Sequence, residues 1–176
     1  LWPQNSDGTH GSKKNVTVQY AIQKSFNTVP VRIITEMLGV NEAYNFMKKT
    51  FHLSTLDDAN DASIAPLATG SLTNGVTTVE MAAAYAVFGN NGYYYKPYCY
   101  YKVTNATGTE VLLETKSEPE KVLSEDTAEV MRELLKTVPA RSFRSSKNLG
   151  KFELMSKTGT TSDTKDSWIA GGTPYY

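Results

Sequence analysis

Apolar positions along the chain change their spacing several times, and each change marks an expected element. In "VTVQYAIQKSFN", Val18, Ile22 and Phe26 recur at i, i+4 and i+8, which predicts a helix with one apolar stripe over 16–27. Pro30 disfavours helical backbone in the residue before it yet suits the first turn of the next helix. A tight break between two helices is therefore expected at Ser25-Phe26-Asn27. "VRIITEML" then runs to Gly39, a good stop, and Asn41 is the expected cap of a helix reaching residue 51. Residues 54–75 mix Asp, Asn, Ser and Gly with short apolar runs, the pattern of a long irregular connection holding one short helical turn. "TTVEMAAAYAVFGNNG" is apolar on most sides, with Thr77 or Thr78 as its cap and Glu80 near its first turn. It predicts a buried central helix that ends at Asn90-Asn91-Gly92.

Strand patterning follows. "PYCYYKV" and "TEVLLE" flank "TNATG", a β-hairpin signal with Gly108 in the turn. Helical spacing returns in "SEDTAEVMRELLKTV", where Ser124 caps and Ala128, Met131, Leu135 and Val138 share a face. "ARSFRSSKNLGK" reads as a basic, solvated loop, and strands are expected over 152–161 and 167–173, joined by "SDTKD". Helices, a hairpin, another helix and terminal strands make an α+β domain with a mainly antiparallel sheet.

Composition narrows the function classes. The 176 residues suit one domain or part of a larger one. Lys plus Arg balance Asp plus Glu at 18 each, so no broad basic field exists to hold nucleic acid or an anionic membrane. No apolar run approaches the roughly 20 residues that cross a bilayer. Cys99 is the single cysteine, which excludes an intrachain disulfide, and with only His10 and His52 it offers no zinc cluster and no Cys-His or Ser-His pair. No metal or other cofactor is expected, and acid–base chemistry falls to Lys, Tyr or carboxylates. "LWPQNSDGTHGSKKN" has neither an initiator methionine nor a signal-peptide layout, so the chain is expected to be a piece of a longer one.

One run concentrates chemistry: Lys157-Thr158-Gly159-Thr160. On a strand at a cleft, Gly159 would let a ligand approach the backbone, and an extended peptide could pair with the strand. Lys157 would supply positive charge, the threonines hydroxyl donors to a carboxylate, and a backbone N–H a donor to an oxyanion. A polar edge strand, in which Lys and Thr are ordinary, explains the tetrapeptide equally well. A phosphate-binding loop does not, because Ser156 precedes the lysine and Lys151 stands where the first glycine belongs. Ser25 and Asn27, two apart at the helix break, could point into the same cleft, one relaying a proton and the other holding a substrate amide. Alone that pair more often marks a cap or turn. The tyrosines of "YYYKPYCYY" could stack bases or sugars, but strand packing is the stronger reading.

Ser-x-Asn followed by Lys-Thr-Gly matches two of the three elements of serine acyl-transferases. Beyond the motifs, "NVTVQYAIQKSFNTVPVRI", "LTNGVTTVEMAAAYAVFGNNGYYYKP" and "SKTGTTSDTKDSWIAGGTP" resemble, in order, blocks of the transpeptidase domain of class A, bifunctional penicillin-binding proteins. The resemblance covers most of the chain and extends to Asp166-Ser167-Trp168. It implies an incomplete serine-transpeptidase and β-lactamase-like α+β fold, with residues 1–176 as the C-terminal part of one domain. It also implies a serine of a Ser-x-x-Lys helix that attacks the penultimate D-Ala carbonyl of a peptidoglycan stem peptide. Ser25 would pass a proton toward the departing D-Ala, Asn27 would bind the donor amide and order the catalytic lysine, and Lys157 would support Ser25 and the substrate carboxylate. Thr158 and Thr160 would bind that carboxylate or the carboxylate of a β-lactam, beside Gly159. The Thr160 backbone N–H would form half of the oxyanion hole.

The first element is missing. The single Ser-x-x-Lys here, Ser162 to Lys165, follows the Lys-Thr-Gly strand and is expected to be only a turn. The nucleophile is therefore expected upstream, along with the anchor that holds the parent protein on the outer face of the bacterial cell membrane, and this chain is expected to be inactive alone. An apolar patch is expected where the missing helix should pack. A β-lactam sensor, a non-catalytic penicillin-binding module and, further off, a β-lactamase are the alternatives.

Overall fold

The structure, a computed structural model, describes residues 2–11, 14–139, 153–161 and 165–173. Helix α1 (Val18–Lys24) opens on Thr17, whose hydroxyl accepts the Tyr20 N–H at 3.2 Å. It closes at Ser25, which adopts the left-handed conformation with φ 53° and ψ 47°. The break predicted there is present. Helix α2 (Thr28–Arg32) follows at once, with Pro30 in the first turn, where a missing N–H leaves no helical bond unmade. Over Ile33–Leu38 the helix widens to π geometry and closes with the Gly39 N–H on the Ile34 carbonyl at 2.8 Å.

Gly39 both ends that helix and caps the next, α3 (Val40–Asn45). Asn41, the expected cap, lies inside α3 instead. At φ 88° Gly39 turns the chain directly from one helix into the other and leaves no separate cap position. Helix α3 also widens to π geometry, over Phe46–Thr50. The short helix expected in 54–75 is α4 (Ile64–Thr69).

Helix α5 (Thr78–Gly89) is capped by Thr77 and Glu80 in a reciprocal box, Thr77 Oγ1 accepting the Glu80 N–H at 3.2 Å and the Glu80 carboxylate accepting the Thr77 N–H at 3.2 Å. The expectation of a buried helix needs correction. Ala84 and Val87 are buried, but Val79 is 56% exposed, and Ala82 and Ala86 are exposed too. The elements packed on α5 cover one side, although its sequence is apolar all round.

Strand β1 (Tyr93–Tyr94) leads out of α5, and β2 (Lys102–Thr104) pairs antiparallel with β3 (Val111–Glu114) through the expected turn at Gly108, φ 74°. β1 pairs with β4 (Glu120–Lys121). Tyr94 is buried, whereas Tyr93, Tyr95, Tyr98, Tyr100 and Tyr101 are exposed. Strand packing therefore accounts for one residue of that tyrosine run, because the chain leaves the strand after Tyr94. Helix α6 (Glu125–Lys136) starts on the Ser124 hydroxyl and buries Ala128, Leu135 and, just beyond its end, Val138, as its periodicity predicts. Strands β5 (Met155–Thr160) and β6 (Ser167–Gly172) form an antiparallel pair in register from Met155 opposite Gly172 to Thr160 opposite Ser167.

The result is an α+β molecule. Its described strands form separate antiparallel pairs instead of one sheet. α5 and α6 pack together, α5 against β6 and α6 against β5. A second centre gathers Tyr44, Leu53 and Leu56, with Met47, Phe51, Leu67, Leu72 and Val76 against them. The expected basic loop over 140–151 and the serine of the Ser162 turn lie outside the described residues.

Candidate active site

Ser25 and Lys157, 132 positions apart in sequence, meet: Lys157 Nζ donates to Ser25 Oγ. The same ammonium donates to the Thr158 carbonyl at 2.7 Å. Ser25 reaches this contact because it ends α1 in the left-handed conformation and so leaves the helix path. Gln23, two residues earlier, donates to the Thr137 carbonyl at 3.3 Å and ties α1 to the end of α6, which itself packs on β5. Lys157 is half-buried, and loss of solvent pushes its ammonium below the ordinary lysine value.

Asn27 takes a different direction. Its side-chain N–H donates to the Gln4 carbonyl at 2.9 Å, which fixes one arm of the amide against the N-terminal segment. Beside it Asn5, buried at 4% exposure, accepts the Thr28 N–H at 3.1 Å and the Thr28 hydroxyl at 3.2 Å. Gln4 and Asn5 therefore lock the Ser25-Phe26-Asn27 break from outside. Nothing in their spacing revealed this, since both sit in a stretch of plain loop composition.

Residues 157–160 line a cleft of about 630 Å³. It is also lined by the connection between α4 and α5, including Leu72, Thr73 and Val76, and by Met81 and Tyr85 of α5. Lys157 and Thr158 are half-buried, while Gly159 and Thr160 are exposed. Among the described residues β5 pairs with β6 alone, so its other edge is open to an extended peptide. Ser25 and Asn27 do not line this cleft. Ser25 joins it through Lys157, and the expectation that both residues open into it holds for neither side chain directly. A larger hollow of about 800 Å³, bordered by Phe26, Thr28 and Arg32, touches none of residues 157–160. The smaller cleft is the candidate site because it gathers the cation, the hydroxyls and an open strand edge.

Two further polar groups belong to this region. Tyr85 lines the cleft, and burial pushes its phenol up, so it remains an O–H donor at neutral pH. Ser156 is fully buried and its hydroxyl has no hydrogen-bond partner among the described residues. Among the described residues, no group of three His, Cys, Asp or Glu side chains is placed to hold a metal ion.

Comparison with known proteins gives the arrangement its class. Penicillin-binding protein 1A of Haemophilus influenzae superposes with a TM-score of 0.73 at 23% identity, over 96% of this chain and 30% of that one. Penicillin-binding protein A of M. tuberculosis, solved as an imipenem acyl-enzyme complex, superposes equally at 20% identity, over 97% and 42%. The fold is thus that of the penicillin-binding proteins. The sequence matches the penicillin binding protein transpeptidase domain over residues 2–174, and the chain belongs to that family. Penicillin-binding protein 1A of Clostridium acetobutylicum is 41% identical over 175 residues, 99% of this chain and 21% of that protein. Penicillin-binding protein 4 of Bacillus subtilis is 30% identical, again over 99% of this chain and 27% of the relative. The chain spans about a fifth to a quarter of the length of these relatives.

Proposed function

We propose that the chain is part of a serine D,D-transpeptidase that cross-links peptidoglycan stem peptides through an acyl-enzyme and is acylated by β-lactams. The observation that carries this reading is the Lys157 to Ser25 contact at the edge of an open strand bearing Thr158 and Thr160. Lys157 supports the Ser25 hydroxyl electrostatically, Ser25 passes a proton toward the leaving D-Ala, and the carbonyl oxygen of the Asn27 amide receives the donor amide N–H. Thr158 and Thr160 hold the carboxylate of the stem peptide or β-lactam, Gly159 lets it approach, and the Thr160 N–H contributes to an oxyanion hole. The attacking serine and its lysine come from outside these 176 residues, since the single Ser-x-x-Lys in the sequence follows β5. In this reading the whole protein works on the outer face of the bacterial membrane, held by a segment elsewhere. No helix among the described residues is long and apolar enough to cross a membrane.

A fluorescent penicillin tests the proposal. The full-length protein is expected to carry covalent label on a serine upstream of Leu1, and the 176-residue chain alone to carry none. Mapping the label to Ser162 would overturn the assignment of the nucleophile, and an unlabelled full-length protein would favour a binding module that has lost acyl transfer.

A further inference from the structure

We infer that Asp61 is a positioning residue: by holding Thr73 it fixes the wall of the cleft that faces residues 157–160, and this rests on the transpeptidase reading of that cleft. Asp61 is fully buried, and no cation is paired with it among the described residues. A carboxylate in that position is expensive unless its oxygens are well satisfied. One oxygen accepts both the Thr73 N–H and the Thr73 hydroxyl at 2.8 Å, and the other accepts the Asp57 N–H at 2.9 Å. The site is thus built around a charged acceptor serving two separate segments of chain.

What the clamp holds matters for the cleft. The connection over 70–77 contains Gly70 at φ 76° and Gly75 at φ 66°, residues that leave a backbone free to change course. It is tied down at Thr73 by Asp61 and at Gly75 by Thr55, whose hydroxyl donates to the Gly75 carbonyl at 2.7 Å. Both ties run away from β5, and among the described residues no hydrogen bond crosses the cleft from 70–77 to β5. Among the described residues the hydrogen bonds that hold this wall thus come from behind it. Asp61 touches none of the reacting groups and acts through Thr73, which does line the cleft. Small displacements of such a wall change reaction geometry, where even about 1 Å of misplacement can cost two orders of magnitude in rate.

The test uses the full-length protein with Asp61→Asn, Thr73→Val and Thr73→Ser, and with Ser124→Ala as a control that weakens α6 away from the cleft. Two quantities are read at a temperature where every variant is folded: the second-order rate of acylation by a fluorescent penicillin, and hydrogen exchange of the amides over 72–76. Asp61→Asn and Thr73→Val are expected to slow acylation about tenfold and to speed that exchange, Thr73→Ser to keep both near the unmodified values, and Ser124→Ala to change neither. Acylation unchanged by Asp61→Asn, or slowed equally by Ser124→Ala, overturns the positioning role. If the unmodified protein takes no label the transpeptidase reading fails instead, and the exchange measurement alone decides the clamp: unchanged exchange over 72–76 overturns it and faster exchange upholds it.

Discussion

At Gly171 an added Cβ would stand 2.3 Å from the Met155 carbonyl oxygen and 2.8 Å from the Ser156 Cβ, the residue directly across the β5–β6 pair. The same atom added at Gly159 would lie 3.7 Å from the Trp168 Cβ, an ordinary contact. The fold therefore requires glycine at 171 and tolerates alanine at 159. Gly171→Ala is expected to cost about 1–3 kcal/mol in urea unfolding, and Gly159→Ala to stay within about 0.5 kcal/mol. In the full-length protein Gly159→Ala should nonetheless slow acylation by penicillin, and a normal rate would remove ligand approach as the reason for that glycine. Gly159 was legible because it sits inside a motif. Gly171 was not, since its requirement comes from a cross-strand neighbour that only the register reveals.

Helix α5 shows which element properties travel in sequence. Its cap was readable to within one residue, Thr77 or Thr78 with Glu80 near the first turn, and the structure settles on Thr77 with both halves of the box. Its burial was not readable: uniform apolarity says that a helix can be covered, not by what. Nor was the second task of Glu80 visible. Its carboxylate also accepts the Ser54 N–H at 2.9 Å and the Ser54 hydroxyl at 2.6 Å, so the start of α5 holds the chain leaving Leu53. Thr77→Ala is expected to cost about 1 kcal/mol, the usual loss for a cap. Glu80→Ala should cost about 1 kcal/mol more, because it releases Ser54 as well. Equal losses in paired urea titrations would show that the Ser54 contacts contribute nothing. The π-helical turns at Ile33–Leu38 and Phe46–Thr50 were also invisible, since period-based reading assumes α geometry throughout.

Across the whole molecule, of the carboxylates that folding holds below their ordinary values, Asp58, Asp61 and Glu80 belong to the stretch 54–80, while Asp7 and Glu36 lie outside it. Burial works to raise the Asp61 carboxyl, but its hydrogen bonds from Asp57 and Thr73 outweigh burial and hold it below the ordinary value. Burial likewise works against Glu80, and the donors from Ser54 and Thr77 bring it down to about 2. A carboxylate lowered on folding contributes stability that is fully present above its unfolded value and is lost as pH falls through its folded value. For Glu80 the loss therefore begins near 4.5 and is complete only below about 2, and Asp61 adds to it in the same direction. The alternation and helical spacing that made the α+β class legible gave no sign of this asymmetry, because Asp61 lies in a polar stretch where an aspartate looks solvated. Between pH 6 and pH 3, after correction for intrinsic exchange rates, amides over 54–80 are expected to lose protection before those of β5 and β6. Loss in the reverse order, or in one step across the molecule, would mean that these two carboxylates do not control the wall facing Lys157.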